Sequence, residues 1–154
     1  MSFLSAFNTS VSGMTAQRQR VNTISENIAN AETTRTPQGG PYRRREVILA
    51  SVANDRTFEE ELLSQDRSVS TSTEVKVVGI VQDERPPILR FEPGHPDANE
   101  EGYVEMPNVN IMEEMVNLMS ANRSYEANTA AFNATKNMVQ SALDLGRTPK
   151  ILIA

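Results

Sequence analysis

Few residues of this chain could do chemistry, and His95 is the first of them. It stands two positions before Asp97 in the run EPGHPDA, where a carboxylate could orient the imidazole as a general base. The spacing ties no nucleophile and no second ligand to His95, and Pro93 and Pro96 on either side favour a rigid turn. We therefore predict that His95, Pro96 and Asp97 shape a turn.

Acidic clusters are the second group with possible chemistry. The runs Glu59–Glu61 and Glu100–Glu101 could serve as acid/base pairs or calcium ligands. Neighbouring carboxylates in a polar stretch usually form a solvated face, and the calcium-loop pattern of alternating aspartates with a central glycine is absent. With no cysteine and one histidine, the chain has no disulfide, thiolate zinc site or multi-histidine site. The sequence predicts no catalytic residue, no cofactor and no metal.

The basic run Arg43–Arg45 follows Gly39, Gly40 and Tyr42, and could contact phosphate, a lipid headgroup or an acidic neighbour. A net charge of -5 argues against a nucleic-acid partner, because such proteins need an excess of basic residues. We favour an inter-subunit or solvated role for the three arginines.

The sequence predicts no membrane span, because its uninterrupted apolar runs are shorter than the roughly 20 residues that a span needs. The opening stretch is also unlike a cleaved secretory signal.

Proline, glycine and charge divide the chain of 154 residues into three segments, 1–36, 37–107 and 108–154. Seven of the eight prolines lie in the middle segment, which also has fourteen acidic and eight basic residues. The flanks are nearly neutral and almost free of helix breakers. We therefore predict two terminal helices around an extended, β-rich middle.

The first segment shows the 3-4 spacing of an apolar seam along one helix. Gly13 interrupts the helix at a cost of about 1 kcal/mol, so a partner must pack on the seam. Its members are Leu4, Phe7, Val11, Met14, Val21, Ile24 and Ile28.

The last segment predicts a helix with Asn110 as its N-cap, Glu113 in a capping-box position and Gly146 at its end. The methionines at its start indicate a packing surface, because thioethers alone ligate only soft copper. The apolar row of this helix comprises Ile111, Met115, Leu118, Tyr125, Phe132, Val139 and Leu143.

Between the helices, 45–52, 75–81 and 87–91 are rich in β-branched residues or bounded by turn formers, and predict strands. Residues 57–66 could form a short helix or a mobile acidic loop. The predicted fold is mainly α with a small β-rich middle. Ordering two long helices loses more conformational entropy than packing along one narrow apolar seam can offset. We therefore expect the helices to be loose in the monomer and to order on assembly.

Three blocks of sequence resemble a known family: SENIANAETTRTPQGGPYRRR (25–45), FEPGHPDANEEGYVEMPNVN (91–110) and IMEEMVNLMSANRSYEANTAAFNATKNM (111–138). They resemble the bacterial flagellar rod and hook axial proteins, and the GHPDA and GYVEMPNVN stretches point to the proximal rod within that family. The short length, with no large insert between the helices, agrees with a proximal-rod subunit.

The resemblance implies terminal helices that pair in a coiled-coil-like inner tube around an export channel. It also implies export without cleavage through the flagellar type III gate, into the periplasmic rod of the basal body. The implied partners are copies of the chain, rod subunits of the FlgB, FlgF, FlgG and FliE types, the MS-ring and the export gate. Phe3, Leu4 and Phe7 match the short apolar export element of rod substrates, and the same residues could serve the helix seam alone.

The family's motifs also imply structural roles for single residues. Asn27, Ile28, Ala29 and Asn30 would end the first helix with asparagine bonds to backbone, and Gly39, Gly40 and Pro41 would leave Tyr42 to Arg45 open to an adjacent subunit. Glu113, Glu114, Arg123, Tyr125 and Glu126 would join packed helices. The other matching positions are His95, Pro96, Asp97, Gly102, Tyr103, Pro107, Asn108 and Asn128.

Two alternatives stay open at this point. One is another axial protein, such as a hook-junction or a different rod subunit. The other is a small periplasmic enzyme that acts on cell-wall glycan through His95 and a carboxylate.

Overall fold

The computed structural model describes residues 3–53 and 73–146. Its elements are α1 (Phe3–Ala29), β1 (Arg45–Ala53), β2 (Thr73–Gln82), β3 (Ile88–Phe91), β4 (Tyr103–Met106) and α2 (Ile111–Gly146). The predicted mainly α fold with a small β middle is confirmed. Strand β4 was missed by the sequence analysis. The segment 57–66, with its acidic run Glu59–Glu61, lies outside the described residues.

The two helices pack antiparallel, and three contacts give their register. Phe7 meets Phe132 edge to face with ring centroids 4.9 Å apart, Gly13 lies against the side chain of Asn128, and Asn27 binds Glu114. The first contact is at the free end of the pair and the last is where both helices join the middle segment. The helices therefore pack on each other over most of the length of α1.

The strip buried between the helices differs from the two predicted apolar rows. On α1 the buried residues are Ser10, Gly13, Ala16, Thr23, Ile24 and Asn27, and on α2 they are Glu114, Ala121 and Thr135. These side chains are mostly small or polar, which lets two helix backbones approach closely. Of the predicted α1 row, Ile24 is buried, whereas Leu4 is 72% exposed. Within one chain, six of the fourteen residues in the two rows are exposed and seven are partly covered.

Gly13 has a testable role in this close approach. A Cβ at position 13 would lie 2.9–3.1 Å from the amide group of Asn128, whose nitrogen donates to the Ser124 carbonyl at 3.0 Å. We expect Gly13→Ala to stabilise an Asn128→Ala chain by about 1 kcal/mol, the helix propensity difference, and to gain clearly less in the wild-type chain. Urea unfolding of the four variants measures this coupling. Thr15→Ala, on the exposed side of α1, serves as control, and equal gains from Gly13→Ala in both backgrounds would contradict the packing role.

Helix α2 begins as predicted. The Asn110 side-chain oxygen accepts hydrogen bonds from the amides of Met112 at 3.1 Å and Glu113 at 3.4 Å, which satisfies two of the free donors at the helix start. From there α2 runs for 36 residues, or about 54 Å. None of the helices in the described ranges is long and apolar enough to cross a membrane.

The middle segment forms two separate antiparallel ribbons, β1–β2 and β3–β4. The first packs on α1, where Thr9 donates to the Thr73 carbonyl at 3.2 Å and the Val75 amide donates to Ser12 Oγ at 3.2 Å. Its register shifts between Ile48 and Leu49, which leaves Val78 as an extra residue of β2. The second ribbon is the hairpin that contains the GYVEM run.

A small apolar cluster joins these parts. It consists of Ala31 after α1, Tyr42 in the extended segment and Val109 before α2. Two neighbouring segments and a third that is distant in sequence therefore meet at one place, where the helix pair joins the middle segment.

Candidate functional site

The most complete set of polar contacts in the structure lies beside this apolar cluster. We call it the polar junction, and it consists of Asn27, Tyr42, Arg44, Arg45 and Glu114. Asn27 comes from the last turns of α1 and Glu114 from the first turn of α2. Tyr42 and Arg44 belong to the extended segment that leads into β1, and Arg45 is the first residue of that strand. The junction therefore ties both helices to the middle of the chain.

Asn27 is the centre of the polar junction and is 0% exposed. Its Nδ2 donates to the Arg45 carbonyl at 2.8 Å and to Glu114 Oε2 at 3.0 Å. Its Oδ1 accepts from the Tyr42 hydroxyl and from the Arg45 amide, both at 2.9 Å. An amide side chain has two donors and two acceptor sites, so Asn27 is fully satisfied.

Arg44 and Glu114 form a buried ion pair, with Arg44 Nε 2.8 Å from Glu114 Oε1. The Glu114 side chain is 1% exposed and the Arg44 side chain 12%. Burial lowers the pKa of Arg44, but the hydrogen bond and charge of Glu114, together with Glu46, outweigh it and raise that pKa above its ordinary value. The Arg44 guanidinium therefore stays charged beside the Glu114 carboxylate.

Burial also raises the pKa of Tyr42, although the charge of Arg45 opposes this. The phenol therefore keeps its proton and acts as a hydrogen-bond donor. The backbone of Arg44 is held as well, since its amide donates to Asn108 Oδ1 at 3.1 Å and its carbonyl accepts from the Asp83 amide at 2.8 Å. The whole extended segment is fixed by these contacts.

One prediction for this segment is wrong. Tyr42 and Arg44 do not face an adjacent subunit, because both are occupied inside the chain. Arg43 is exposed. The Arg45 side chain is 43% exposed and lies 3.6 Å from Glu26. Sequence reasoning could not distinguish the three consecutive arginines, because their partners lie in other segments of the chain.

An open cleft of about 580 Å³ adjoins the polar junction. Ile24 and Leu49 are among its apolar lining residues, and its charged lining includes Arg20, Asp83 and Glu113. In the described part of the chain, no group of three or more His, Cys, Asp or Glu residues is placed to hold a metal ion. The arrangement provides neutralised ion pairs and saturated hydrogen bonds, which suit a rigid joint.

Comparisons with known proteins give matches to two family models, one at each end of the chain. A family model described as "Flagella basal body rod protein" matches residues 7–35, and one described as "Flagellar basal body rod FlgEFG protein C-terminal" matches residues 100–145. Asn27 lies in the first match and Glu114 in the second.

Full-length relatives decide the family. The flagellar basal-body rod protein FlgC of Bacillus subtilis is 44% identical over 152 residues, which cover 96% of this chain and 100% of that protein. The protein of the same name from Borreliella burgdorferi is 43% identical over 147 residues, 93% of this chain and 97% of its own length. The chain belongs to the FlgC family. Its FlgC relative in Salmonella typhimurium is 37% identical over 148 residues.

As a FlgC-family protein, the chain is a structural subunit of the rod in the flagellar basal body.

The structure also shows where the other family-motif residues lie. Asn30 donates to the Glu26 carbonyl at 2.9 Å, as expected at the end of α1, whereas Asn27 reaches across to the start of β1. Gly39 and Gly40 have φ values of 89° and 72°, which favour glycine. Pro107 is buried, and Glu113, Arg123 and Glu126 are exposed.

The His95 motif forms a turn, as predicted. His95 Nδ1 accepts a hydrogen bond from the Asp97 amide at 3.1 Å. The Asp97 carboxylate instead accepts from Thr34 Oγ1 at 2.8 Å and lies 4.0 Å from Arg35. The carboxylate therefore holds the segment after α1 and does not orient the imidazole.

Asp83 was not singled out by the sequence analysis. Hydrogen bonds from the Arg85 side chain, the shortest of them 2.6 Å, and from the Arg85 amide lower the pKa of Asp83 to about 2. Arg44 lies 3.8 Å away on the other side. Asp83 therefore connects the end of β2 to the polar junction, and nothing in its local sequence signals this.

The low pKa of Asp83 gives a pH prediction. A carboxylate with a lowered folded pKa stabilises the fold above its unfolded pKa of about 4, and this stabilisation is lost as the pH falls toward 2. We expect Asp83→Asn to be less stable than wild type near pH 6, with a difference that shrinks below pH 4. Urea midpoints across this range measure the effect. Glu84→Gln, an exposed neighbour, should show no such trend, and a difference for Asp83→Asn that is constant with pH would contradict the assignment.

Proposed function

We propose that the chain is a structural subunit of the proximal rod whose helix pair completes its core by packing among other rod subunits. The observation that carries this is the distribution of apolar side chains. In the described ranges, seven hydrophobic residues are buried and three of them are alanines, whereas twenty large hydrophobic residues are exposed. Exposed apolar surface of that extent indicates protein interfaces.

The rigidity of the polar junction is a second observation that supports the proposal. Its buried ion pair and saturated asparagine fix how the helix pair leaves the middle segment. A subunit in a rotating shaft must transmit torque through such a joint. The residues of the junction serve the fold in this proposal, and no catalytic step is assigned to them.

The apolar rows predicted from sequence are the proposed assembly surface. Leu4, Val11, Met115, Tyr125 and Leu143 are exposed in the single chain and would be covered by neighbouring helices. Because these surfaces lack partners in the monomer, the free ends of the helices should be loose there. We expect the helical circular dichroism of dilute monomer to be weaker than the 27 and 36 residues of α1 and α2 would give, and to rise on assembly. A monomer whose signal already accounts for both full helices would contradict this.

Other parts of the proposal rest on family membership. The partners are copies of the chain, rod subunits of the FlgB, FlgF, FlgG and FliE types, the MS-ring and the export gate. Export would use the flagellar type III route, with Phe3, Leu4 and Phe7 as the export element. Phe3 and Leu4 are exposed, while Phe7 packs on Phe132, so the element would serve export before folding and packing after it.

Complementation tests the proposed function. The gene should restore swimming and complete basal bodies to a strain that lacks its own proximal-rod subunit. Chains without residues 1–30 or 140–154 should restore neither, because each deletion removes part of the inner helix pair. Electron microscopy of isolated basal bodies and swimming in soft agar are the measurements. Full motility with either truncated chain would overturn the proposal.

A further inference from the structure

The β3–β4 hairpin presents an apolar face that nothing in the described chain covers. Leu89, Phe91 and Tyr103 share this face, since Phe91 pairs with Tyr103 and Leu89 stands two residues before Phe91. Leu89 and Phe91 are each 62% exposed. Aromatic and aliphatic side chains clustered in this way are typical of the central residues of protein interfaces.

The hairpin face is held rigid. The rings of Phe91 and Tyr103 pack edge to face with centroids 5.3 Å apart. Gly102 has a φ of 84°, and a Cβ there would lie 2.9 Å from the Phe91 ring, so the glycine makes room for that ring. Asn99 Oδ1 accepts from the amides of Glu101 and Tyr103 and closes the turn. A surface that is already ordered loses little entropy on binding.

The same face has an acidic border. Glu105 pairs directly with Leu89 across the hairpin, and Glu100 and Glu101 lie exposed in its turn. The described residues provide no ion-pair partner for these three carboxylates. The chemistry of the face therefore calls for a partner that combines aliphatic side chains with a cation.

Helix α2 has a surface of that kind. Met112, Val116, Met119 and Arg123 are separated by four, three and four residues, so they form one stripe. All four are exposed. The stripe lies about half a turn round the helix from Glu114 and Ala121, which face α1. No described anion pairs with Arg123.

We propose that the hairpin face of one copy docks on the α2 stripe of a second copy, with Glu105 opposite Arg123. Both surfaces are exposed in the single chain, so they do not cover each other there. Methionines pack favourably on aromatic rings, and the two unpaired charges have opposite signs. A contact between two different surfaces can repeat head to tail from copy to copy, and such a contact builds rings or helices. This inference rests on the proposed function and identifies one of the contacts between subunits.

Site-specific photo-crosslinking tests the contact in assembled rods. The full chain, with p-benzoylphenylalanine in place of Leu89, is expressed in the complemented strain, and basal bodies are isolated after irradiation. We expect a crosslinked dimer of the chain, with fragmentation by mass spectrometry locating the second site within 112–123. The same probe in place of Gln38, in an exposed loop, is the control and should not link to this stripe. Links from position 89 to another protein or another segment, or no link in motile cells, would overturn the proposal.

Charge reversal tests the proposed pair directly. Arg123→Glu and Glu105→Arg should each weaken swimming and remove the crosslink, because each places like charges together, and the double variant should restore both. Lys76→Glu, exposed on β2 and outside both surfaces, should leave the crosslink unchanged. Failure of the double variant to restore either readout counts against the contact. The wild-type chain tests the proposed function separately, since it must complement whatever the crosslinks show.

Discussion

Replacing Arg44 with alanine should lower the free energy of unfolding by about 3 kcal/mol or more, because it leaves the buried Glu114 carboxylate without its cation. The hydrogen bond from Asn27 to Glu114 remains, but it cannot neutralise the charge. Urea unfolding followed by circular dichroism measures the change in stability. Swimming should be lost as well, since the joint between the helix pair and the middle segment is loosened.

Arg43→Ala is the matched control for this experiment. Arg43 has the same side chain one position earlier and is exposed, so its removal should change stability by less than about 0.5 kcal/mol. A double variant, Arg44→Met with Glu114→Leu, should recover part of the lost stability, because it removes both charges and keeps the volume. The recovery is incomplete because Asn27 Nδ2 loses its bond to Glu114. Equal effects of Arg43→Ala and Arg44→Ala would show that the ion pair does not support the fold.

The second large effect is expected at Asn27. Asn27→Ala breaks four hydrogen bonds and leaves the Tyr42 hydroxyl and both backbone groups of Arg45 without their partner. At about 1 kcal/mol for each bond, the loss is about 3–4 kcal/mol. Asn27→Asp should be at least as damaging, although it has the same shape, because its second oxygen would face Glu114 Oε2 and the Arg45 carbonyl, two acceptors.

Asn22→Asp provides the comparison for the aspartate variant. Asn22 lies on the exposed side of the same helix, so the same change in charge should have little effect there. Thermal unfolding and assembly into basal bodies are the readouts for both positions. If Asn27→Asp unfolds and assembles like Asn22→Asp, the polar junction does not have the role that its hydrogen bonds indicate.

Local patterns were sufficient to predict the regular elements of this protein. The 3-4 spacing of apolar residues predicted α1 and α2, and Asn110 predicted where α2 begins. Strands β1 and β2 followed from runs of β-branched residues, and β3 from the prolines that precede it. These features depend on backbone propensities and capping, which act over a few residues.

Strand β4 shows the limit of such patterns. Its four residues, Tyr103–Met106, are too short for an alternation to stand out, and they lie between a glycine and a proline. They form a strand because Ile88–Phe91 lies opposite and supplies hydrogen bonds. A strand of this length exists only through its partner.

The sequence by itself determined the family and the two-helix architecture. Only the tertiary structure decided that the helices meet along Gly13, Ala16 and Ala121, and that six residues of the predicted apolar rows stay exposed. The tertiary structure also gave Arg44 a role that Arg43 does not have, because Arg44 binds the Glu114 carboxylate seventy residues away. The physical reason is that burial and charge pairing depend on which distant segments meet in space, and the spacing of residues along one segment does not contain that information.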